Sequence, residues 1–457
     1  MALRLATAAL LGSLTLGAAL TGCGLIGDAG SLDDAGSSGD GGGGSDAGGG
    51  GAPVHGGEST GIPCDVDETL QKRCQNCHGN SPIGGAPMPL VTWDDLQAKA
   101  VSEPDLQVFE LALQRIADTE KPMPPGGSEA LTTEERAALG EWLGQGAPRS
   151  DEACGVVDPE EEEPWGIDAL DCEPSHVFTS HAPGNVDAPF ELPPDAVNSY
   201  YCFGFQVPWD AQTEGTAIAP ILGDERVIHH VILYTTSQPL EHEGVFPCEV
   251  MPLDSQFVAG FQPTAPQNIV MPDDVGLELP NPGQWMFMQV HYWNAAGLTD
   301  VADKTGVAFC TSDEPRPQQA GILWLGTIAI SIPPYAKDVS TSGCWTAPTD
   351  LNIMASGPHM HQLGSKFTTE LHRLDGTVDP VVKVDPWDFD NQEMPLHDEP
   401  IKVNAGDTFR VNCNYDNPTS RWVGFGERSE DEMCFDFTLV YPVAQLGSDR
   451  RYWTPCL

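Results

Sequence analysis

The stretch Arg226–Thr236, RVIHHVILYTT, is the part of this sequence that decides its fold class. β-Branched and aromatic residues fill it, and similar short runs follow farther along the chain. These runs are QWMFMQVHYW (284–293), SKFTTELHRL (365–374), DTFRVNCNYD (407–416) and MCFDFTLVYPV (433–443). Because Pro, Gly, Asp and Asn turns separate them, the pattern is typical of β-sandwiches. We therefore predict a mainly β fold with two tandem β-sandwich, jelly-roll-like domains at 169–325 and 326–457.

Six side chains in and near these runs have the chemistry of copper ligands. They are His229 and His230 in VIHHVILY, His291 in MQVHYWN, His359 and His361 in PHMHQLG, and Met433 in DEMCFDF. Imidazole suits copper in both redox states, and a thioether favours Cu(I). We predict two copper sites, one with three imidazoles and one with two imidazoles and a methionine sulfur.

The two histidine pairs make different demands on a strand. His359 and His361 are two residues apart, so both would leave the same strand face. His229 and His230 are adjacent, and the strand would have to twist, bulge or end there for both to bind one ion. Three histidines would also suit a zinc hydrolase, which is one alternative, but a thioether is a poor zinc ligand.

Residues 61–155 carry a different motif, Cys74-Gln75-Asn76-Cys77-His78. The C-x-x-C-H pattern gives two thiols for covalent attachment of haem c and a histidine as its proximal ligand. A redox dithiol or half a zinc site would use C-x-x-C alone. Met123 in KPMPPGG is the expected sixth ligand of the haem iron, and Met88 in APMPL is the alternative.

The same segment predicts helices. Leu106, Phe109, Leu113 and Ile116 recur at helical spacing within Pro104 to Asp118. Thr132 and Glu135 have the spacing of a capping box at the start of a last helix. The segment resembles a small monohaem cytochrome c, which implies an all-α domain that transfers electrons.

The N-terminal residues are expected to be a targeting segment and a tether. Residues 1–23 resemble a lipoprotein signal peptide whose lipidated residue is Cys23, although an ordinary secretory signal is the alternative. Residues 24–60 form a Gly/Ser/Asp-rich linker, and 156–168 form a second, acidic linker. We expect an exported protein, anchored by lipid to a bacterial envelope membrane at the periplasmic or cell-surface side.

Charge and cysteine content agree with export. The formal net charge of −46 argues against a nucleic-acid partner. Thirteen cysteines are typical of an oxidising compartment. Without Cys23, Cys74 and Cys77, an even number remains, which allows five disulfides whose connectivity spacing alone leaves open.

Residues 170–457 resemble the copper type II, ascorbate-dependent monooxygenases, the family of peptidylglycine α-hydroxylating and dopamine β-monooxygenases. The H-H-V-I-L-Y, Q-V-H-Y, H-x-H-x-L-G and D-E-M-C motifs occur in the family's order. The resemblance implies two nine-stranded β-sandwiches with the metals on opposite sides of a solvent cleft. One copper, at His229, His230 and His291, would store an electron. The other, at His359, His361 and Met433, would activate O₂ for C–H hydroxylation.

The resemblance also implies further pairs and roles. The family pairings map to Cys172–Cys310, Cys202–Cys248, Cys344–Cys456 and Cys413–Cys434, which leaves Cys64–Cys154 to close the cytochrome-like unit. Gln289 and Tyr200 match family residues near the cleft and are expected to support catalysis. Ascorbate or another one-electron reductant would be the external donor.

Three departures from the family bear on the substrate. Gly357 replaces the arginine by which peptide-hydroxylating members grip a carboxylate, and Phe437 replaces a tyrosine. Gln362 replaces a histidine that is not a ligand. A peptide C-terminus is therefore not the expected substrate. We expect hydroxylation of a small organic molecule, with electrons delivered through the fused haem to the three-histidine copper. The alternative is a non-catalytic exported copper and haem electron-transfer protein.

Overall fold

In the computed structural model of the chain, the described residues are mainly β, with 39% strand and 11% helix. This confirms the predicted fold class at that level. The structure describes residues 59–118, 123–124, 131–154, 164–236, 244–248, 251–252, 254–263, 266–387, 389, 392, 394–426, 428, 430–447 and 449–456. The expected signal peptide, Cys23 and most of both linkers lie outside these residues.

Residues 59–154 form a helical unit around its own apolar core. Its helices are Cys64–Arg73 (α1), Trp93–Gln97 (α2), Val108–Ala117 (α3) and Thr133–Gly144 (α4). The predicted capping box of α4 is present: the Thr132 hydroxyl accepts from the amide of Glu135, whose carboxylate accepts from the amide of Thr132. None of the helices in the described part of the chain has the length and apolar character needed to cross a bilayer.

The helix predicted from Pro104 begins later than expected. Gln107 and Glu110 form a capping box that sets its start at Val108. Its fully buried side chains are Val108, Leu111 and Ile116. The periodicity in the sequence thus located the helix but put the apolar stripe partly on residues that are only half-buried.

From residue 164 onward the described chain consists of strands and one short 3₁₀ helix, Ile167–Ala169. The strands are His176–Thr179 (β1), Phe190–Glu191 (β2), Asn198–Gln206 (β3), Glu214–Ile221 (β4), Ile228–Thr235 (β5), Val245–Pro247 (β6), Gln256–Phe261 (β7), Ile269–Val270 (β8), Val275–Glu278 (β9), Trp285–Trp293 (β10), Ala302–Asp303 (β11), Gly306–Ser312 (β12), Gln318–Gly326 (β13), Ser331–Ile332 (β14), Val339–Thr346 (β15), Leu351–His359 (β16), Gly364–His372 (β17), Val378–Val384 (β18), Leu396–Val403 (β19), Thr408–Tyr415 (β20), Val423–Gly424 (β21), Phe435–Tyr441 (β22) and Arg451–Tyr452 (β23).

Three of the sheets formed by these strands contain most of the strand residues. A ten-stranded sheet has the central order β1-β12-β4-β9-β13-β22-β16-β19, with β8 on β4 and β23 on β13. A five-stranded sheet, β6-β3-β10-β5-β7, belongs to the first half, and a four-stranded sheet, β15-β20-β17-β18, belongs to the second. Each half has its own apolar core.

The strand β13 joins the two halves. Residues 318–320 pair in parallel with β9, and residues 321–326 pair antiparallel with β22. The expected domain boundary at 325 therefore falls near the end of a strand that both halves share. The larger core continues across this strand, because Phe435 and Phe437 of the second half pack with residues of the first.

Five disulfides tie the described elements together. They join Cys64–Cys154, Cys172–Cys310, Cys202–Cys248, Cys344–Cys456 and Cys413–Cys434, the same pairs that were named from the sequence. Disulfides persist in oxidising compartments, so these bonds indicate an exported protein.

Candidate metal centres

The first cluster lies where β5 and β10 pair. His230 is directly opposite His291, but the next pair joins Ile228 to Tyr292, so His229 is an extra residue in a β-bulge. The bulge turns two adjacent histidines toward one point, which a regular strand would not allow. The nearest ring nitrogens of His229, His230 and His291 all lie within 4.8 Å of one another.

Hydrogen bonds fix ring positions in this cluster, and burial keeps two of its imidazoles neutral. His291 donates from Nε2 to Asn198 Oδ1 at 2.7 Å, and its buried Nδ1 has no hydrogen-bond partner among the described residues. The Nδ1 atoms of His229 and His230 are 3.0 Å apart. Burial lowers the pKa of His230 and of His291 well below the ordinary value, and the neighbouring imidazoles lower both further. Neutral rings with convergent lone pairs suit a bound metal.

Two residues singled out from the sequence lie beside this cluster. Tyr200 is paired with His291 across β3 and β10, and the rings stack in parallel at 4.0 Å. Gln289 is buried on β10, and its side-chain amide donates to the carbonyl of Cys248 at 2.8 Å. Tyr200 therefore orients a ring of the cluster, whereas Gln289 is held by the loop that follows β6.

The second cluster lies where β16 ends beside β22. His359 is the last residue of β16 and is paired with Phe435, the first residue of β22, so His361 and Met433 lie just beyond these two strand ends. The rings of His359 and His361 are 5.2 Å apart and nearly perpendicular. Because the strand ends at His359, the expectation that one strand face presents both rings was wrong. His361 follows the strand and is held by other contacts.

Hydrogen bonds leave the same ring nitrogen of both histidines for a metal. His359 uses Nδ1 toward Gln392 Oε1 at 2.6 Å, and His361 donates from Nδ1 to the carbonyl of Asp431 at 3.1 Å. Burial lowers the pKa of His359 to about 3 and also lowers that of His361. The remaining Nε2 atoms are neutral acceptors, which fits a site completed by a soft thioether.

Glu432 holds the second cluster together, and sequence reasoning missed it. Its buried carboxylate accepts the amides of His361, Leu363 and Met433 at 2.9, 2.6 and 3.3 Å. Burial raises the pKa of Glu432 to about 8, against the opposing effect of these amides. The Tyr415 hydroxyl adds a bond to the carbonyl of Met433 at 2.7 Å. The only sequence signal was the position of Glu432 directly before Met433.

The C-x-x-C-H segment follows α1 in the helical unit. Cys74 and Cys77 are half-buried and stand outside the five disulfides. His78 uses Nδ1 toward the carbonyl of Met88 at 2.7 Å, and burial lowers its pKa. A neutral imidazole with Nε2 remaining suits a haem iron. The Met88 side chain packs in the core of the unit, and Met123 follows α3, tied to the Arg115 carbonyl.

Comparison with known protein families gives a match for the part of the chain that contains the second cluster. Residues 318–448 match the model of the copper type II ascorbate-dependent monooxygenase, C-terminal domain. This range contains His359, His361 and Met433 with their surrounding strands. Residues 318–448 therefore belong to the copper type II ascorbate-dependent monooxygenase family, as its C-terminal domain.

Relatives with monooxygenase or hydroxylase names match about half of this chain. DBH-like monooxygenase protein 2 of Mus musculus is 28% identical over 51% of this chain and 41% of its own length. Dopamine beta-hydroxylase of Bos taurus is 28% identical over 57% of this chain and 47% of its own length. Dopamine beta-hydroxylase of Canis lupus familiaris is 23% identical, over 56% and 45%. The chain thus spans somewhat less than half the length of these relatives.

A likeness to a solved structure is too slight to indicate a fold. The infectious bursal disease virus VP2 subviral particle has a TM-score of 0.17 and 12% identity, over 53% of this chain and 55% of that chain.

One cavity of about 750 Å³ connects the two clusters. His230 of the first cluster and all three residues of the second line it. Its walls are largely aromatic and apolar: Phe257 and Phe437 stack in parallel at 5.4 Å, and Phe437 is 5.5 Å from the ring of His359. The two clusters therefore face the same space.

Two of the three positions that depart from the family, Gly357 and Phe437, also line this cavity. Gly357 is paired with Phe437, and a side chain there would meet Met394 and Phe437 at 3.3 Å. The volume beside Gly357 is thus already occupied by the Met394 side chain and by the carbonyl oxygen and Cβ of Phe437. Gln362, the third departure, is exposed.

Proposed function

We propose that this protein is a copper-dependent monooxygenase that hydroxylates a C–H bond of a small organic molecule. The observation that carries this proposal is the shared cavity, which is lined by one nitrogen-only cluster and one cluster that includes a thioether. The net reaction consumes the C–H compound, O₂, two electrons and two protons, and it yields the alcohol and water.

The residues of each cluster would hold one copper ion. His229, His230 and His291 would hold the first, and His359, His361 and Met433 the second. Bound copper supplies single-electron redox chemistry and activation of O₂. Tyr200 keeps the His291 ring in place by stacking. Glu432 keeps His361 and Met433 at a fixed separation through their amides.

The cavity walls support a substrate class. Among the described residues that line the cavity, Asp398 is the only charged side chain apart from the histidines, and neither lysine nor arginine contributes. An anionic substrate would find no lysine or arginine side chain there to offset its desolvation. The flat pair of Phe257 and Phe437 suits an apolar or aromatic group. We therefore expect a neutral or cationic substrate with an apolar body.

The electron supply is the second part of the proposed function. Cys74, Cys77 and His78 would hold a covalent haem c, with Met123 as the sixth ligand of its iron. That group would carry single electrons to the first cluster, in place of or beside ascorbate. Covalent fusion raises the effective concentration of such a donor. Cys23 would carry the lipid that anchors the exported protein to an envelope membrane.

Oxygen labelling tests the reaction. Copper-loaded protein, reduced by ascorbate, is supplied with ¹⁸O₂ and a panel of neutral, cationic and anionic C–H compounds. We expect one labelled oxygen atom in a neutral or cationic product, and loss of product in the His291→Ala and His359→Ala variants. Copper that cycles between its redox states while no panel compound gains the label would instead favour the non-catalytic electron carrier.

A stopped-flow measurement tests the electron supply. Reduced protein is mixed with O₂ and substrate while haem absorbance is followed. We expect the haem to be oxidised during turnover. If the haem stays reduced while product forms, the electrons come from another donor.

A further inference from the structure

The turn Ile83–Ala86 connects the C-x-x-C-H segment to the surface of the helical unit. Ala86 donates to the carbonyl of Ile83 at 3.1 Å, and the two central glycines have φ of 64° and 79°. A turn with two left-handed central residues favours glycine at both positions. Ile83 also donates to the carbonyl of Cys77 at 3.0 Å. The turn is therefore fastened directly to the proposed haem-attachment segment.

This turn lies against the chain that carries the first cluster. Gly84 donates to the carbonyl of Glu225 at 2.9 Å, four residues before His229. Gly85 lies so close to Trp293 that a Cβ atom would be 2.5 Å from its Cδ1 and 2.8 Å from its carbonyl oxygen. Gly85 is thus needed for two separate reasons, its φ and its close approach to Trp293.

Trp293 lies between this turn and the histidines. Its ring is 6.3 Å from the rings of both His229 and His291. Its amide donates to the carbonyl of Val227 at 2.7 Å, which fixes it beside the bulge. Trp293 is not among the described residues that line the cavity, whereas His230 is. The helical unit therefore contacts Trp293, which lies beside the cluster and outside the described lining of the substrate cavity.

We propose that the Ile83–Ala86 turn is a docking contact, and that Trp293 is the residue through which electrons enter the first cluster. This extends the proposed function, because it rests on the proposed haem at Cys74 and Cys77. With haem and copper bound, one electron would leave Fe(II) for each Cu(II) that becomes Cu(I), and no atom would be transferred. The contact fixes the donor beside one cluster, so electrons enter at His229 and His291 rather than at Met433.

Hydrogen exchange on the full-length, copper-free protein tests the docking contact. Gly85→Asn tolerates positive φ but brings a side chain into Trp293. Gly146→Asn is the matched control, because Gly146 has φ of 86° in the same unit and nothing within 4 Å of its Cβ position. We expect exchange of the peptide around Gly84 to rise about tenfold or more in Gly85→Asn only. Equal exchange in both variants, or a peptide that is unprotected in the parent, would overturn the docking contact.

The role of Trp293 is tested by a second readout. Protein with reduced haem and Cu(II) is followed anaerobically, without substrate, through the haem absorbance. We expect haem oxidation to slow about tenfold or more in Trp293→Leu and in Gly85→Asn, and to be largely retained in Trp293→Phe and Gly146→Asn. Parent-like rates in Trp293→Leu would overturn the entry route. Absence of a haem spectrum, or absence of hydroxylation, contradicts the proposed function instead, while the exchange result still decides the docking contact.

Discussion

At the scale of single residues, hydrogen bonds select which ring nitrogen each histidine offers. Asn198 takes the Nε2 proton of His291 and leaves Nδ1 in the first cluster. Gln392 and the carbonyl of Asp431 engage Nδ1 of the second pair and leave Nε2. Such outer contacts set the tautomer and orientation of a metal ligand. The identity of the histidines was readable from the sequence, but their tautomers depend on partners 33 to 93 residues away.

The first prediction concerns the sulfur of the second cluster. Met433→His should keep copper bound, because imidazole is also a good ligand, but it should lower turnover by about tenfold or more because the soft donor is lost. Copper content per chain and the rate of product formation measure the two effects. Met271→Leu, a buried methionine outside the cavity, is the control and should match the parent. Unchanged turnover in Met433→His would contradict the assigned role.

The second prediction concerns the stability of the copper-free protein against pH. His359 has a folded-state pKa of about 3, against about 6.5 in an unfolded chain. Between these values the unfolded chain binds a proton that the folded chain does not, so the free energy of unfolding should fall as pH drops from 6.5 toward 3. Urea midpoints at several pH values measure the fall. His359→Gln should show a shallower fall, and an identical slope in that variant would contradict the buried, neutral state.

At the scale of elements, each cluster is located where regular pairing fails. The bulge in β5 brings His229 beside His230, and β16 ends at His359 so that His361 can be held separately. The sequence predicted the need for an irregularity at the adjacent histidines, because period-two alternation forbids their convergence. It did not predict Glu432, since that role depends on amides about 70 residues away in sequence.

The third prediction concerns Glu432. Glu432→Ala removes the acceptor of three amides, at least one of them fully buried, so we expect a loss of about 2–4 kcal/mol in the free energy of unfolding. Copper affinity at the second cluster should fall about 10–100-fold. Urea unfolding of the copper-free protein and copper titration measure these effects. Glu399→Ala, at an exposed position of β19, is the control and should change neither.

Retention of parent stability by Glu432→Ala would show that the amides find other partners. Retention of copper affinity with lowered stability would show that Glu432 serves the fold alone. Either outcome would contradict its role as the residue that sets the spacing of His361 and Met433.

At the scale of the whole molecule, β13 makes one sheet of the two halves. Its first residues pair with β9 and its last with β22, and the larger core crosses it. The two halves are therefore joined through one continuous sheet, whereas the first cluster lies on the separate five-stranded sheet of the first half. The sequence predicted a domain boundary near 325 from the pattern of short strands and turns alone. A shared strand could not be predicted. A buried strand such as Ala320–Leu325 has the same continuous apolar sequence whether its neighbouring strands come from one domain or from two.

The central claim is that two distinct metal clusters, one with nitrogen ligands only and one with the sulfur of Met433, face a single cavity. Copper K-edge X-ray absorption of anaerobic, Cu(I)-loaded protein tests it most directly, with copper content measured on the same samples. We expect two coppers per chain. The averaged spectrum should contain one sulfur neighbour for every two coppers, and this sulfur signal should vanish in Met433→Leu. A single copper per chain, or a spectrum without sulfur in the parent protein, would contradict the claim.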